Sequence, residues 1–234
     1  MSGRARLGLL GGTLDPVHNG HLETARAART ALGLDRVWLV PSGLPPHRQT
    51  QPSASGYHRF AMAALAVNGL DGLEASDVEL TRVGPSYTAG TLDRLRHMGF
   101  QPSQIFFITG ADAFADIATW HRYPEVLDLA HFVVISRPGH PSPRLPTTLP
   151  GLALRMRPGT PQAAAASNPT IFLVDAPTPD VSSSEIRSRL QRGEGVRGMI
   201  PPAVETHIRQ HGLYLPSPSP AAAHSRADHL HGED

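Results

Sequence analysis

Residues 11–21 read GGTLDPVHNGH, two glycines just past an apolar run and two histidines three positions apart. Glycines at the end of a strand let backbone amides approach a phosphate, and the helix that follows points its positive end at the same place. Gly11, Gly12 and Thr13 are therefore candidates to line phosphate groups. His18 and His21, at i and i+3 in a first helical turn, could bring both rings to one ligand. An imidazole beside a polyphosphate has a raised pKa and would neutralise charge as a phosphate ester breaks. The residues alone leave other readings open. The glycines could form a plain turn, and the histidines could face solvent or supply half of a metal site, although no third ligand of matching spacing is evident. The spacing fits neither GxGxxG nor GxxxxGK[ST].

A second stretch, DVSSSEIRSRL at 180–190, places three serines ahead of a helical pattern. Ser182 and Glu185 fit a capping box, which is a structural role. The same helix start could also bind oxyanions, through Ser182, Ser183 and Ser184 with Arg187 as a fork. Asp15, before Pro16, reads as an Asx-type turn former.

The elements that position these residues follow from periodicity. Leu7–Leu10 reads as a strand and Leu22, Ala25, Ala28 and Leu32 as a helix face ended by Gly33. Strands then follow at Val37–Val40, Leu73–Leu80, Ile105–Ile108, Phe132–Ile135 and Ile171–Val174. Helices alternate with them at Tyr57–Val67, Thr88–Met98, more weakly at Pro124–Ala130, and at Ser183–Gln191 and Pro202–His211. This alternation predicts an α/β fold, a Rossmann-like doubly wound parallel sheet with helices on both faces. Pro138–Pro169, with eight prolines, reads as an irregular excursion. Residues 1–215 read as one domain and 216–234 as a disordered tail. The tail histidines His224, His229 and His231 read as solvated, with metal capture a minor alternative.

Composition narrows the chemistry. The 234 residues are 40% hydrophobic and 18% charged with formal net charge +1, so nucleic acid is not an expected partner. All 21 basic residues counted as Lys or Arg are arginine, so a phosphate clamp must use Arg or His. The absence of cysteine excludes disulfides, thiolate metal sites and a cysteine nucleophile. No apolar run approaches a membrane span and none at the start suits a signal peptide, which predicts a cytoplasmic protein with no membrane partner.

GGTLDPVHNGH followed about 160 residues later by VSSSEIR resembles the nucleotidyltransferase superfamily, which carries an HxGH signature early and an ISSTxIR-like one late. Within it the chain resembles bacterial nicotinate-nucleotide adenylyltransferases, through PPHR at 45–48, SYT at 86–88, GAD at 110–112 and ATWHRYPEVLDLAHFVVISRPG at 118–139. The resemblance runs from Leu7 to about Leu215. Leu14 stands where that family usually has Phe, Arg48 where it has Lys, and Ser184 where Thr is frequent.

The resemblance implies transfer of AMP from ATP to nicotinate mononucleotide, giving deamido-NAD and pyrophosphate. By it, His18, His21 and Arg187 would act on the phosphates, and Gly11, Gly12, Thr13, Ser182, Ser183 and Ser184 would bind ATP. Gly110 and Asp112 would hold the adenosine ribose. Trp120 would stack on the pyridine ring with Thr88 at its substituent, and Arg48 and Arg137 are candidates for phosphate or carboxylate contacts. Mg²⁺ would enter mainly through ATP oxygens, with no protein metal site. Nicotinamide mononucleotide or phosphopantetheine as acceptor, and a non-catalytic nucleotide-binding module, are the alternatives; a class I aminoacyl-tRNA synthetase fragment fits poorly, for want of a lysine-bearing loop. Homo-oligomer formation is left open.

Overall fold

The computed structural model describes residues 5–45, 52–81 and 84–215. Seven strands form one sheet, β1 (Leu7–Gly12), β2 (Arg36–Pro41), β3 (Leu73–Ala75), β4 (Ile105–Gly110), β5 (His131–Ile135), β6 (Met156–Pro158) and β7 (Ile171–Val174). Their order is β3-β2-β1-β4-β5-β7-β6, and every pairing is parallel. The helices are α1 (Asn19–Leu32), α2 (Gly56–Val67), α3 (Thr88–His97), α4 (Ala111–Ala115), α5 (Leu145–Thr148), α6 (Ser183–Gln191) and α7 (Pro202–Gln210). This is the doubly wound α/β architecture that the alternating pattern predicts.

Both faces of the sheet are covered, so the central strands are apolar on both sides. One core packs Leu10, Leu39, Phe106, Ile108 and Val133 against α1, α2, α6 and α7 through Leu22, Met62, Ile186 and Ile208. The other packs Leu7, Leu9, Phe107, Phe132 and Val134 against α3 and α4 through Leu92, Leu95 and Phe114. Gly8 has a packing reason to be glycine, because a Cβ there would lie 2.8 Å from a Val37 methyl.

Three local readings are corrected. The strand expected over 73–80 is only three residues long. Ser76 makes the last rung to the Leu39 carbonyl, and the Asp77–Leu80 turn then carries Glu79 inward. The weak helix at 124–130 is a single 3-10 turn, Glu125–Asp128. The proline-rich excursion is mostly short turns, yet it contributes β6 at the sheet edge and buries Leu145, Leu152 and Met156. An edge strand tolerates the proline at its end.

The strand order reverses between β1 and β4, and an open parallel sheet binds its ligands in the crevice outside the strand ends at such a point. Gly11, Gly12 and Thr13 leave β1 there, and Thr109 and Gly110 leave β4 beside them. No described helix is long and apolar enough to cross a membrane.

Candidate active site

His18 is the N-cap of α1, with extended backbone (φ −146°, ψ 170°), and its side chain is only 2% exposed. Its ring folds back over Gly20. A Cβ on Gly20 would lie 3.0 Å from the His18 ring, so any larger residue inside HNGH would have to push that ring aside by a few tenths of an ångström. The His18 and His21 rings stack with centroids 3.7 Å apart and planes 26° apart.

The backbone N–H of His18 donates to Nδ1 of His21 at 3.2 Å. That bond makes Nδ1 the acceptor, so neutral His21 carries its hydrogen on Nε2, where it can donate to a ligand. Nδ1 of His18 is buried without a hydrogen-bond partner among the described residues. Burial, then the Arg137 guanidinium, hold His18 down at about 4. Desolvation, then His18 and Arg137, keep His21 well below the ordinary imidazole range. Both rings are therefore neutral in the ligand-free protein. The raised values expected beside a polyphosphate require the polyanion to be there, since its charge must outweigh desolvation.

The second motif meets the first. Ser183 Oγ donates to the Pro16 carbonyl at 2.9 Å, and Arg187 donates through Nη1 to the Asp15 carbonyl at 2.6 Å and through Nη2 to Ser184 Oγ at 3.2 Å. Asn19 Nδ2 donates to the Gly198 carbonyl at 2.8 Å. Ser182 caps α6 by accepting from the Glu185 N–H at 3.1 Å, but the capping box is only half made, because the Glu185 carboxylate takes Arg189 Nε at 2.7 Å. Arg187, with its side chain 17% exposed, keeps guanidinium hydrogens beyond these two bonds.

Asp15 is not the Asx-turn former that its place before Pro16 predicts. Its fully buried carboxylate accepts from the amides of Ser53 (2.8 Å) and Ala54 (3.1 Å) and from the Tyr214 hydroxyl (2.6 Å). Burial and Asp15 push the Tyr214 hydroxyl far up, so it stays a donor. Leu14, buried beside it, has φ 51°, a left-handed conformation that is costly for a residue with a Cβ.

Arg59 is a further organiser that the sequence reading missed. It is buried on α2 and donates to the carbonyls of Ala54, Thr13, Ser42 and Gly43, tying the ends of β1 and β2 together. Its only sequence signal is an arginine, next to His58, at the start of a mostly apolar helix.

On the other side of Gly11, Gly12 and Thr13 opens a cleft of about 590 Å³, lined further by Glu79, Tyr87, Thr88, Phe107, Asp116, Trp120 and His121. Trp120 packs edge-on against Phe107 (5.9 Å) and Phe132 (6.2 Å) while lining the cleft, so it is a packing residue and a cleft wall at once. Tyr87 and His121 stack at 4.4 Å. Thr88 opens α3, whose first-turn amides have no intrahelical acceptors. Glu79 accepts from Thr91 Oγ1 at 2.7 Å. Gly43 passes close to the Glu79 carbonyl, 2.7 Å from where its Cβ would stand.

Gly110 ends β4 and Asp112 follows in α4, with its carboxylate against the Gly110 Cα. Arg137 also packs on Gly110, and it acts electrostatically on both histidines. It therefore belongs to the histidine wall and is not among the residues lining the cleft. Arg48 lies outside the described residues, as do the tail histidines. Of the other expected residues, Gly11, Gly12, Thr13, Thr88 and Trp120 line the cleft, Ser183, Ser184 and Arg187 meet the loop that leads to His18 and His21, and Asp112 sits against Gly110.

A crevice of this kind, at the switch point of a parallel sheet with two helix starts beside it, is where an open α/β sheet binds a nucleotide ligand, and the chain's similarities are to nucleotidyltransferases. The cytidylyltransferase-like family model matches residues 9–189. A protein of Desulfatibacillum aliphaticivorans named "Probable nicotinate-nucleotide adenylyltransferase" is 38% identical over 218 residues, 90% of this chain and 100% of its own. A protein of the same name from Chromohalobacter salexigens is 41% identical over 211 residues, 90% and 96% of the two chains. The chain belongs to the nicotinate-nucleotide adenylyltransferase family. In fold it is similar to Plasmodium falciparum nicotinic acid mononucleotide adenylyltransferase complexed with NaAD, with TM-score 0.64, 18% identity and 90% and 97% of the chains covered.

Proposed function

We propose that the enzyme transfers AMP from ATP to the 5′-phosphate of nicotinate mononucleotide, releasing pyrophosphate and forming nicotinate adenine dinucleotide. The observation that carries this reading is the adjacency of the two walls. A cluster of imidazoles and guanidinium groups for a triphosphate adjoins, across Gly11–Thr13, a cleft with an indole wall and a helix start suited to a ring bearing a carboxylate.

A phosphate oxygen of the mononucleotide attacks the α-phosphorus of ATP. The bond from that phosphorus to the bridging oxygen breaks, and its electron pair leaves on pyrophosphate. The nucleophile is already an anion, so no base has to remove a proton. The chain's task is to align two anions and to stabilise charge on the leaving group.

The amides of Gly11, Gly12 and Thr13 would face the phosphates. His21, donating from Nε2, and His18 would meet the α- and β-phosphate oxygens, and the approach of that charge would raise both pKa values. Arg187 and the start of α6 with Ser182, Ser183 and Ser184 would hold the far end of the triphosphate. The Ser183 hydroxyl is already donated to Pro16, whereas Ser182 Oγ only accepts from the Glu185 N–H and keeps its hydrogen for a ligand, beside the first amides of α6. Asp112 would take the ribose hydroxyls, and Arg137 would add positive charge beside the histidines.

Trp120 would stack on the pyridine ring, and the free amides of Thr88, Ala89 and Gly90 would receive its substituent. A helix start favours an anionic carboxylate over a neutral amide, which supports nicotinate as the preferred ring. No group of three potential metal ligands stands at this crevice among the described residues. Mg²⁺, whose hard oxygen ligands would come from ATP and solvent, would shield charge on the phosphate oxygens.

The test is pyrophosphate release from ATP and Mg²⁺ with nicotinate mononucleotide, nicotinamide mononucleotide and phosphopantetheine compared side by side. The fastest release is expected with nicotinate mononucleotide. Absence of release with all three would overturn the reading.

A further inference from the structure

Away from the crevice, three histidines converge where the start of α2 meets the end of α7. His58 lies in the first turn of α2, His207 in the last turn of α7, and His211 one turn further at its C-cap. Nδ1 of His58 and Nε2 of His207 are 3.1 Å apart, and one ring nitrogen from each of the three residues lies within 4.8 Å of the others. Ring centroids are separated by 5.3, 4.9 and 4.4 Å.

We propose that His58, His207 and His211 bind one late first-row divalent cation of the zinc class, each through one ring nitrogen. The ligand set is three imidazoles, a donor type suited to zinc, copper, nickel and cobalt and poorly suited to magnesium or calcium. Bonds of about 2.1 Å in a tetrahedral site put ligand nitrogens roughly 3.4 Å apart. The His58–His207 pair already has nearly that spacing. His211 is the exposed member, with a ring nitrogen within 4.8 Å of the other two, and its side chain would have to move closer to complete the set.

His207 and His211 are at i and i+4, which sets two imidazoles on one face of a helix terminus, while His58 arrives from a packed neighbour. The site is thus built by tertiary structure and not by one flexible segment. The His58···His207 hydrogen bond needs a hydrogen on one of the two facing nitrogens. Metal binding needs both bare, and a tautomer change moves that hydrogen to the outer nitrogen of the same ring.

Such an ion would pin two elements that already converge on Asp15. Ala54 lies four residues before His58, and Tyr214 three residues after His211, and both bond the Asp15 carboxylate. The cation would therefore brace the phosphate-binding loop from behind.

The chain carries three more histidines at 224, 229 and 231, so the experiment starts from a full-length, untagged protein with His224, His229 and His231 changed to Ala and stripped with a chelator. Zn²⁺ titration against a chromophoric chelator is expected to give one equivalent per chain. His207→Gln, His58→Gln and His211→Gln should each weaken binding by at least the roughly 10–100-fold that loss of an outer-shell partner alone costs. Co²⁺ should give intense visible bands that are absent in His207→Gln. His211 is exposed, so its variant tests the site without threatening the fold. Loss of stoichiometric binding once the tail histidines are gone, or unchanged affinity in the His211→Gln and His207→Gln proteins, overturns the proposal.

Discussion

The two walls of the crevice are built differently. The histidine wall stands on helix starts and is latched between segments, by Ser183 to Pro16 and Arg187 to the Asp15 carbonyl, while the His18–His21 and Arg187–Ser184 bonds close each helix start locally. The cleft wall stands on strand ends, loops and the start of α3, with Trp120 and Tyr87 held by ring packing and Gly43 by Ser86 Oγ and Arg59. The first geometry suits a charged transition state, which tolerates little misplacement. The second suits recognition of a flat ring, where stacking accepts small shifts.

The largest expected effect breaks the first wall. His18→Ala should lower kcat by about 10²–10³-fold, the usual cost of losing one preorganised donor to a developing anion, and should leave the KM for nicotinate mononucleotide nearly unchanged. Steady-state kinetics with both substrates checks this, and a comparable rise in that KM would erase the division between the walls.

A smaller effect follows from the neutral state of His18. Folded, it takes a proton only near pH 4, whereas in the unfolded chain it titrates at its ordinary value of 6.5. Between these values the unfolded chain binds more protons, so stability is fully present above about 6.5 and is lost as pH falls toward 4. The contribution reaches about 3 kcal/mol. Buried His131, also held near 4, adds a term of the same sign, so the measurement is a difference. Denaturant unfolding at pH 7 and pH 5 should show a smaller loss in His18→Ala than in the parent.

The smallest effect belongs to the cleft. Trp120→Leu keeps apolar contact with Phe107 and Phe132 but removes the stacking face. It should raise the KM for nicotinate mononucleotide about 3–10-fold with the KM for ATP and the melting temperature nearly constant. An equal change in both KM values would mean that Trp120 acts through packing alone.

The same contrast explains what could be read from sequence. β1, α1 and α6 are legible because glycine turns, caps and periodic apolar positions are local signals, and His18, His21 and Arg187 ride on them. Asp15 was misread because its partners lie 38, 39 and 199 residues away, beyond any local spacing rule. Arg59 looks like an ordinary helix arginine until four carbonyls close around it. The strand over 73–80 is cut short where Glu79 turns inward to Thr91, which no alternation of residue types reveals. β6 was hidden by prolines that an edge position accommodates.

Asp15 also sets an order in time. Its carboxylate is completed by Tyr214, and the loop it shapes is latched by Ser183, Arg187 and, through Asn19, the Gly198 carbonyl, at separations of 167 to 199 residues. A chain growing from its N-terminus displays both histidines early, but cannot close the phosphate loop until nearly the whole domain has left the ribosome. Nascent chains would thus carry the HNGH residues before the loop around Asp15 is latched by the C-terminal part of the domain.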